Sequence, residues 1–236
     1  MKKYNSKQVS SNQTETHPKL SRIISRHLHF SFKKPISPRA LKTLDEIGES
    51  IKNHKGPLVL DSGCGTGEST IRIAELWPES LVLGIDKSAS RLQRARRKSP
   101  FPNAHFFQIL LEDCWLYACK NRWPLDAHFL LYPNPWPKKK HLGRRWYAHP
   151  IFKTLLHLSP HLQIRTNWHL YAEDFVDSAL ALSFGNISLE TCHPVSPLTA
   201  FEKKYAASGH SIYKINVCPE IKCRTRDVLG PIKDVL

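Results

Sequence analysis

The segment Leu58-Val59-Leu60-Asp61-Ser62-Gly63-Cys64-Gly65-Thr66-Gly67 constrains the fold more than any other stretch of the chain. A short apolar run ends in an acid, passes through glycines at alternate positions, and leads into helix-forming residues at 69–76. Three consecutive apolar residues suit a strand buried on both faces. The glycines let the backbone turn tightly and let a ligand approach the main chain. A strand, a glycine loop and a helix make up the first part of a βαβ crossover, so the chain is expected to build a parallel sheet.

The rest of the sequence keeps that rhythm. Residues 81–85, 105–109, 127–132 and 162–165 read as strands, and 89–98, 113–120, 151–158 and 170–182 as helices. Ser88 is placed to cap the helix that starts at Ala89. Leu41, Leu44, Ile47 and Ile51 recur at helical spacing, and Gly56 and Pro57 end that helix. Residues 187–189 and 211–217 read as a terminal strand pair, with a charged segment, 199–208, between them. Residues 1–40 are polar and basic and are expected to form a mobile arm with one short helix around 20–28. Residues 41–236 are expected to form one α/β domain, a doubly wound and mostly parallel sheet with a terminal antiparallel strand. The length of 236 residues suits one such domain.

The glycine loop has two readings. A dinucleotide-binding G-x-G-x-x-G would need glycine at position 68, where the chain has Glu68. A carboxylate there also opposes a pyrophosphate on the helix N-terminus. S-adenosylmethionine carries no phosphate and tolerates Glu68, so it is the favoured cofactor, held by Gly63, Gly65 and Gly67. Asp86 ends the second strand, where an acid accepts from both ribose hydroxyls. Asp113 follows the third strand and could accept from the adenine amino group, with Glu112 as its neighbour and competitor. Asp61 could hold the amino group of the methionine part.

The formal charge of +15 and the pI of 9.7 point to a polyanionic partner, either nucleic acid or an acidic membrane face. The chain contains no apolar run of 18 residues, and its first residues lack the apolar core of a secretory signal, so a cytoplasmic protein that does not span a membrane is expected. Cys64, Cys114, Cys119, Cys192, Cys218 and Cys223 form no C-x-x-C pair, which favours free thiols and no metal site.

The fourth strand runs into Tyr132-Pro133-Asn134-Pro135-Trp136-Pro137-Lys138-Lys139-Lys140-His141, followed by Arg144-Arg145-Trp146. Prolines stiffen this loop. Lys138, Lys139, Lys140, Arg144 and Arg145 suit phosphate contacts. Trp136 and Trp146 could stack on an extruded base, with ordinary packing as the competing reading. The basic block Arg91, Arg94, Arg96, Arg97 and Lys98 reads better as a solvated helix face. Lys33 and Lys34 of the arm are expected to touch phosphate.

This loop resembles the P-D-P-W-P-K-K-x-H segment of the bacterial tRNA guanine-N7 methyltransferases. Thr166-Asn167-Trp168 with Tyr171-Ala172 is similar to the family's T-D-W-x-x-Y-A, and Thr199 with Phe201-Glu202 to its T-x-F-E. The resemblance covers roughly residues 57–217. It implies a Rossmann-like class I methyltransferase fold, tRNA as partner, and a substrate pocket lined by Lys138, Thr199 and Glu202. It also places Asn134 and Asn167 on the substrate side, where the family has Asp. Glu202 is expected to offset the charge that develops on the methylated purine. Three other readings stand beside this one. Asn134-Pro135-Trp136 is similar to the turn of methyltransferases that act on exocyclic amines. The two Asp-to-Asn departures suit a paralogue that binds tRNA without transfer. A small-molecule methyltransferase would not need the basic loop.

Overall fold

The computed structural model of the chain describes residues 6–30 and 32–218. Seven strands form one sheet: β1 Leu58–Ser62, β2 Leu81–Asp86, β3 Ala104–Gln108, β4 Ala127–Leu131, β5 Leu162–Thr166, β6 Asn186–Cys192 and β7 Ile212–Cys218. Their order is β3-β2-β1-β4-β5-β7-β6. The first five are parallel, and β7 lies antiparallel between β5 and β6. This is the expected doubly wound sheet with a terminal antiparallel strand. The order reverses between β1 and β4, so a crevice opens beyond their carboxyl ends, where such sheets bind ligands.

β1, β2, β4 and β5 are buried at every position, as parallel strands covered on both faces must be. Alternate residues serve the two faces. Leu58 and Leu60 pack with α2 Pro38–Asn53, α5 Leu111–Lys120 and α7 His169–Ala181, whereas Val59 packs with α3 Glu68–Leu76. α4 Ala89–Lys98 covers the edge strand β3 through Leu92 and Ala95. α6 Phe152–His157 completes the α5 and α7 side. Gly84 in β2 lets α3 come close, because a Cβ there would stand 2.6 Å from Thr70 Oγ1.

Two segments depart from expectation. Residues 199–208 were expected as a charged connection, and they contain α8, Ala200–Ala207. The arm is docked instead of mobile over its described part. Its helix α1, Leu20–His29, buries Leu20 and Ile24 and packs against α7. Residues 1–5, including part of the arm, and 219–236, including Cys223, lie outside the described residues. Among those described, no helix is long and apolar enough to cross a membrane.

Candidate active site

The loop after β1 carries three glycines at positive φ, and they serve two different purposes. Gly67 (φ +83°) packs tightly: a Cβ there would stand 2.6 Å from the Ala95 Cβ and 2.9 Å from Phe106. Gly63 (φ +78°) and Gly65 (φ +57°) face open space, since a Cβ on Gly63 would meet nothing within 4 Å. Their backbone therefore forms a concave surface open to a ligand. The Gly65 amide donates to Asp86 Oδ2 at 3.1 Å and the Ser88 amide to Oδ1 at 2.8 Å, which fixes the carboxylate beside the loop.

Asp61 is 1% exposed, and one of its oxygens accepts from both Ser69 Oγ and Thr70 Oγ1 at 2.6 Å. Burial pushes its pKa up to about 6; the two hydroxyls partly oppose this, and the Asp86 charge adds to it. A buried carboxylate raised in this way is stabilised by any cation brought beside it. The three acids and the open glycine backbone match the chemistry of S-adenosylmethionine, which has a cationic sulfonium and amine, two ribose hydroxyls and no phosphate. Asp113 is buried in the first turn of α5, and its Oδ1 lies 2.8 Å from Lys34 Nζ. Lys34 is therefore paired to this acid, which corrects the expectation that it touches phosphate. Cys114 is buried and pushed up to about 12 by that burial and by Asp113, so it packs as an unreactive thiol. Among the described residues no three His, Cys, Asp or Glu side chains are placed to hold a metal ion.

The basic loop leaves β4 under strain. Tyr132 (φ +52°) and Trp136 (φ +47°) both sit in the left-handed region, which costs of order 1–3 kcal/mol for each non-glycine residue. Asn134 is exposed, and its Oδ1 accepts from the Trp136 amide at 3.2 Å. Residues Lys139–Arg144 and Trp146–Ala148 form short 3-10 turns. Lys138, Lys139, Lys140 and Arg144 are exposed and make no ion pair among the described residues. The three lysines line an open cleft of about 470 Å³ closed on its other side by Ser10, Ser11 and Asn12 of the arm. Arg144 lies 4.7 Å over the Trp136 ring.

Arg145 departs from the sequence reading. Expected as a phosphate contact, it is 0% exposed. It donates to Trp136 O at 3.2 Å, Tyr147 Oη at 2.9 Å and Gln13 Oε1 at 3.0 Å, and it stands 4.8 Å over Trp168. Asp174 Oδ2 accepts from Tyr147 Oη at 2.7 Å and lies 3.9 Å from Arg145. Arg145 thus locks the basic loop to the arm and to α7. Nothing in the sequence separates it from Arg144, because its partners lie up to 132 residues away.

Glu202 is also fully buried. Its Oε1 accepts from Arg165 Nη1 at 2.7 Å and Tyr132 Oη at 3.0 Å, and its Oε2 from the Leu198 amide at 2.5 Å. Its charge is matched by Arg165 and both its oxygens bond within the fold, so any effect on the charge of the purine would act from a distance. Thr199 caps α8: its Oγ1 accepts from the Glu202 amide at 2.9 Å. Asn167 Nδ2 lies 3.2 Å from His210 Nδ1, at the carboxyl end of β5. The sequence reading missed Ser69, Thr70, Arg165 and His210. The spacing Thr199-x-x-Glu202 is a capping-box signal that could have located α8.

A sheet of this order, with a glycine cradle and acids at the carboxyl ends of its strands, defines an S-adenosylmethionine-dependent methyltransferase. The family described as "Putative methyltransferase" matches residues 55–215. The tRNA (guanine-N(7)-)-methyltransferase of Saccharophagus degradans is 30% identical over 196 residues, covering 78% of this chain and 80% of that protein. The enzyme of the same name from Chromohalobacter salexigens is 28% identical over 180 residues, covering 71% and 73%. The chain belongs to the tRNA (guanine-N(7)-)-methyltransferase family. Among solved structures, the fold is shared with a mutant of the 16S rRNA (adenine(1408)-N(1))-methyltransferase with cosubstrate SAM from Catenulisporales acidiphilia. That similarity has TM-score 0.54 and 18% identity, over 77% of this chain and 92% of that one.

Proposed function

We propose that this enzyme transfers the methyl group of S-adenosylmethionine to guanine N7 in tRNA, in the cytoplasm. The observation that carries the reading is one of placement. The open glycine cradle after β1 and the strained, cationic loop after β4 flank the same crevice, at the switch point of the sheet.

S-adenosylmethionine, when bound, supplies an electrophilic methyl group on a positive sulfonium. Gly63 and Gly65 would lie against it, Asp86 would accept from the ribose, and Asp61 would take the positive amine. Asp113 would receive the adenine amine while sharing its carboxylate with Lys34. Guanine N7 presents a lone pair and no proton, so no side chain has to act as a base. The chain's task is then orientation of the two reactants. Lys138, Lys139, Lys140 and Arg144 would hold phosphates. The exposed Asn134 would offer its Nδ2 as a donor to the O6 acceptor beside guanine N7. Asn167 faces the same side, and Thr199, Glu202 and Arg145 hold the walls.

With labelled donor and tRNA lacking guanine-N7 methyls, N7-methylguanosine is the expected product on nucleoside mass spectrometry. Measurable donor binding with no methylated nucleoside would overturn the reading.

Asp61 gives the site a pH dependence. The donor's positive charge favours the ionised carboxylate, and Asp61 protonates below about pH 6. Donor affinity is therefore expected to hold above pH 7 and to fall about tenfold per pH unit below 6, with proton uptake opposing binding. Titration calorimetry from pH 5 to 8 checks this, and Asp61→Asn should flatten the profile. A wild-type profile that is already flat would remove Asp61 from the donor site.

A further inference from the structure

Three aromatic rings stand in a stack, two of them on α8 and the third just beyond it. The centroids of Phe201 and Tyr205 are 6.1 Å apart with planes at 25°, and those of Tyr205 and His210 are 5.2 Å apart at 13°. The inner end of the stack is fixed. His210 is buried and lies 3.2 Å from Asn167, and Tyr205 lies 5.4 Å from Tyr132, whose hydroxyl is bonded to Glu202. The outer end is open, with Phe201 59% exposed. Lys203 and Lys204 beside it are exposed and make no ion pair among the described residues.

Folding alone does not account for this arrangement. Only Glu202 of α8 is buried, so Phe201 adds little to the core. Tyr205 packs against one side of its ring, and Lys203 and Lys204 nearby supply positive charge. An exposed ring with cations nearby is the composition that binds unpaired nucleotides, the ring taking the base and the cations its phosphates.

We propose that Phe201 accepts one nucleobase of the tRNA as a fourth ring on this stack, the base being a neighbour of the guanine that receives the methyl group. The proposal rests on the tRNA reading above. The stack ends at Asn167, on the substrate side of the pocket, so a strand whose guanine enters the crevice passes the rim where Phe201 stands. Phe201 is then a positioning residue. It fixes the strand without touching the reacting atoms, and it accepts any base, because every base offers a π face.

The test compares wild type with Phe201→Ala and Phe201→Trp, all as the full chain. Phe201→Ala is expected to raise the tRNA Kd and KM about tenfold, in line with the loss of one base–aromatic stack. kcat at saturating tRNA, donor affinity and the unfolding midpoint should stay at wild-type values. Phe201→Trp should restore binding. An abasic nucleotide next to the methylated guanine should weaken wild type about as much as Phe201→Ala does, and should add nothing to the Phe201→Ala enzyme. A Kd for Phe201→Ala within twofold of wild type would overturn the proposal, as would an abasic penalty of the same size in both enzymes. Direct tRNA binding keeps the two readings distinct: tight binding that depends on Phe201 without N7-methylguanosine would sink the activity and leave the stack standing.

Discussion

Glu202→Ala is expected to lower the free energy of unfolding by about 3–5 kcal/mol, the cost of removing one partner of a buried ion pair. The carboxylate ties together three separate elements. It accepts from Arg165 on β5, from Tyr132 at the end of β4 and from the Leu198 amide ahead of α8. Without it the Arg165 guanidinium, nearly buried, loses the carboxylate 2.7 Å away, and the Tyr132 hydroxyl and the Leu198 amide lose this acceptor. Glu202→Gln keeps the volume and one acceptor but no charge, and should fall between the two. Urea unfolding checks this: the midpoint should drop while the slope with denaturant stays constant. A Glu202→Gln protein that unfolds at the wild-type midpoint would show that the pair contributes nothing.

Adjacent arginines are expected to give opposite results. Arg145→Ala should destabilise the fold by about 3–5 kcal/mol through the buried charge left on Asp174. It should also lower methyl transfer, since the Trp136 carbonyl and Gln13 both lose their anchor. Arg144→Ala should leave the unfolding midpoint unchanged, because Arg144 is exposed. Its effect should appear in tRNA affinity, with the slope of log K against log salt shallower by about 0.7–0.9. If Arg145→Ala folded as well as wild type and only its salt slope changed, the buried role assigned here would be wrong.

The sheet was legible in the sequence because parallel strands buried on both faces are rich in apolar residues, as residues 58–60, 81–85 and 129–131 are. The glycine loop was legible for the same local reason. α8 was not. Its one buried side chain is a carboxylate, so it carries no apolar stripe for a periodicity to reveal. The basic loop was legible as a cluster of cations, but which of them face outward was not. Arg144 and Arg145 differ only in what the fold brings to them. Beside the buried Leu20 and Ile24, the arm docks through single polar side chains, Ser11, Gln13, Thr16 and Lys34, each meeting a distant partner.

Those distant partners set an order of assembly. Ser6 bonds to Ser208, 202 residues further on, and Thr16 to Asp174, 158 residues further on. A ribosome adding 5–20 residues per second leaves the arm without its final partner for roughly 10–40 s after its own synthesis. α1 packs against α7, so β1 to β5 are all synthesised before the surface that takes Leu20 and Ile24 exists. A unit held to the rest of the fold by a few long-range bonds and one short helix is expected to open before the sheet does. Its amides should exchange with solvent well before those of β1 and β4.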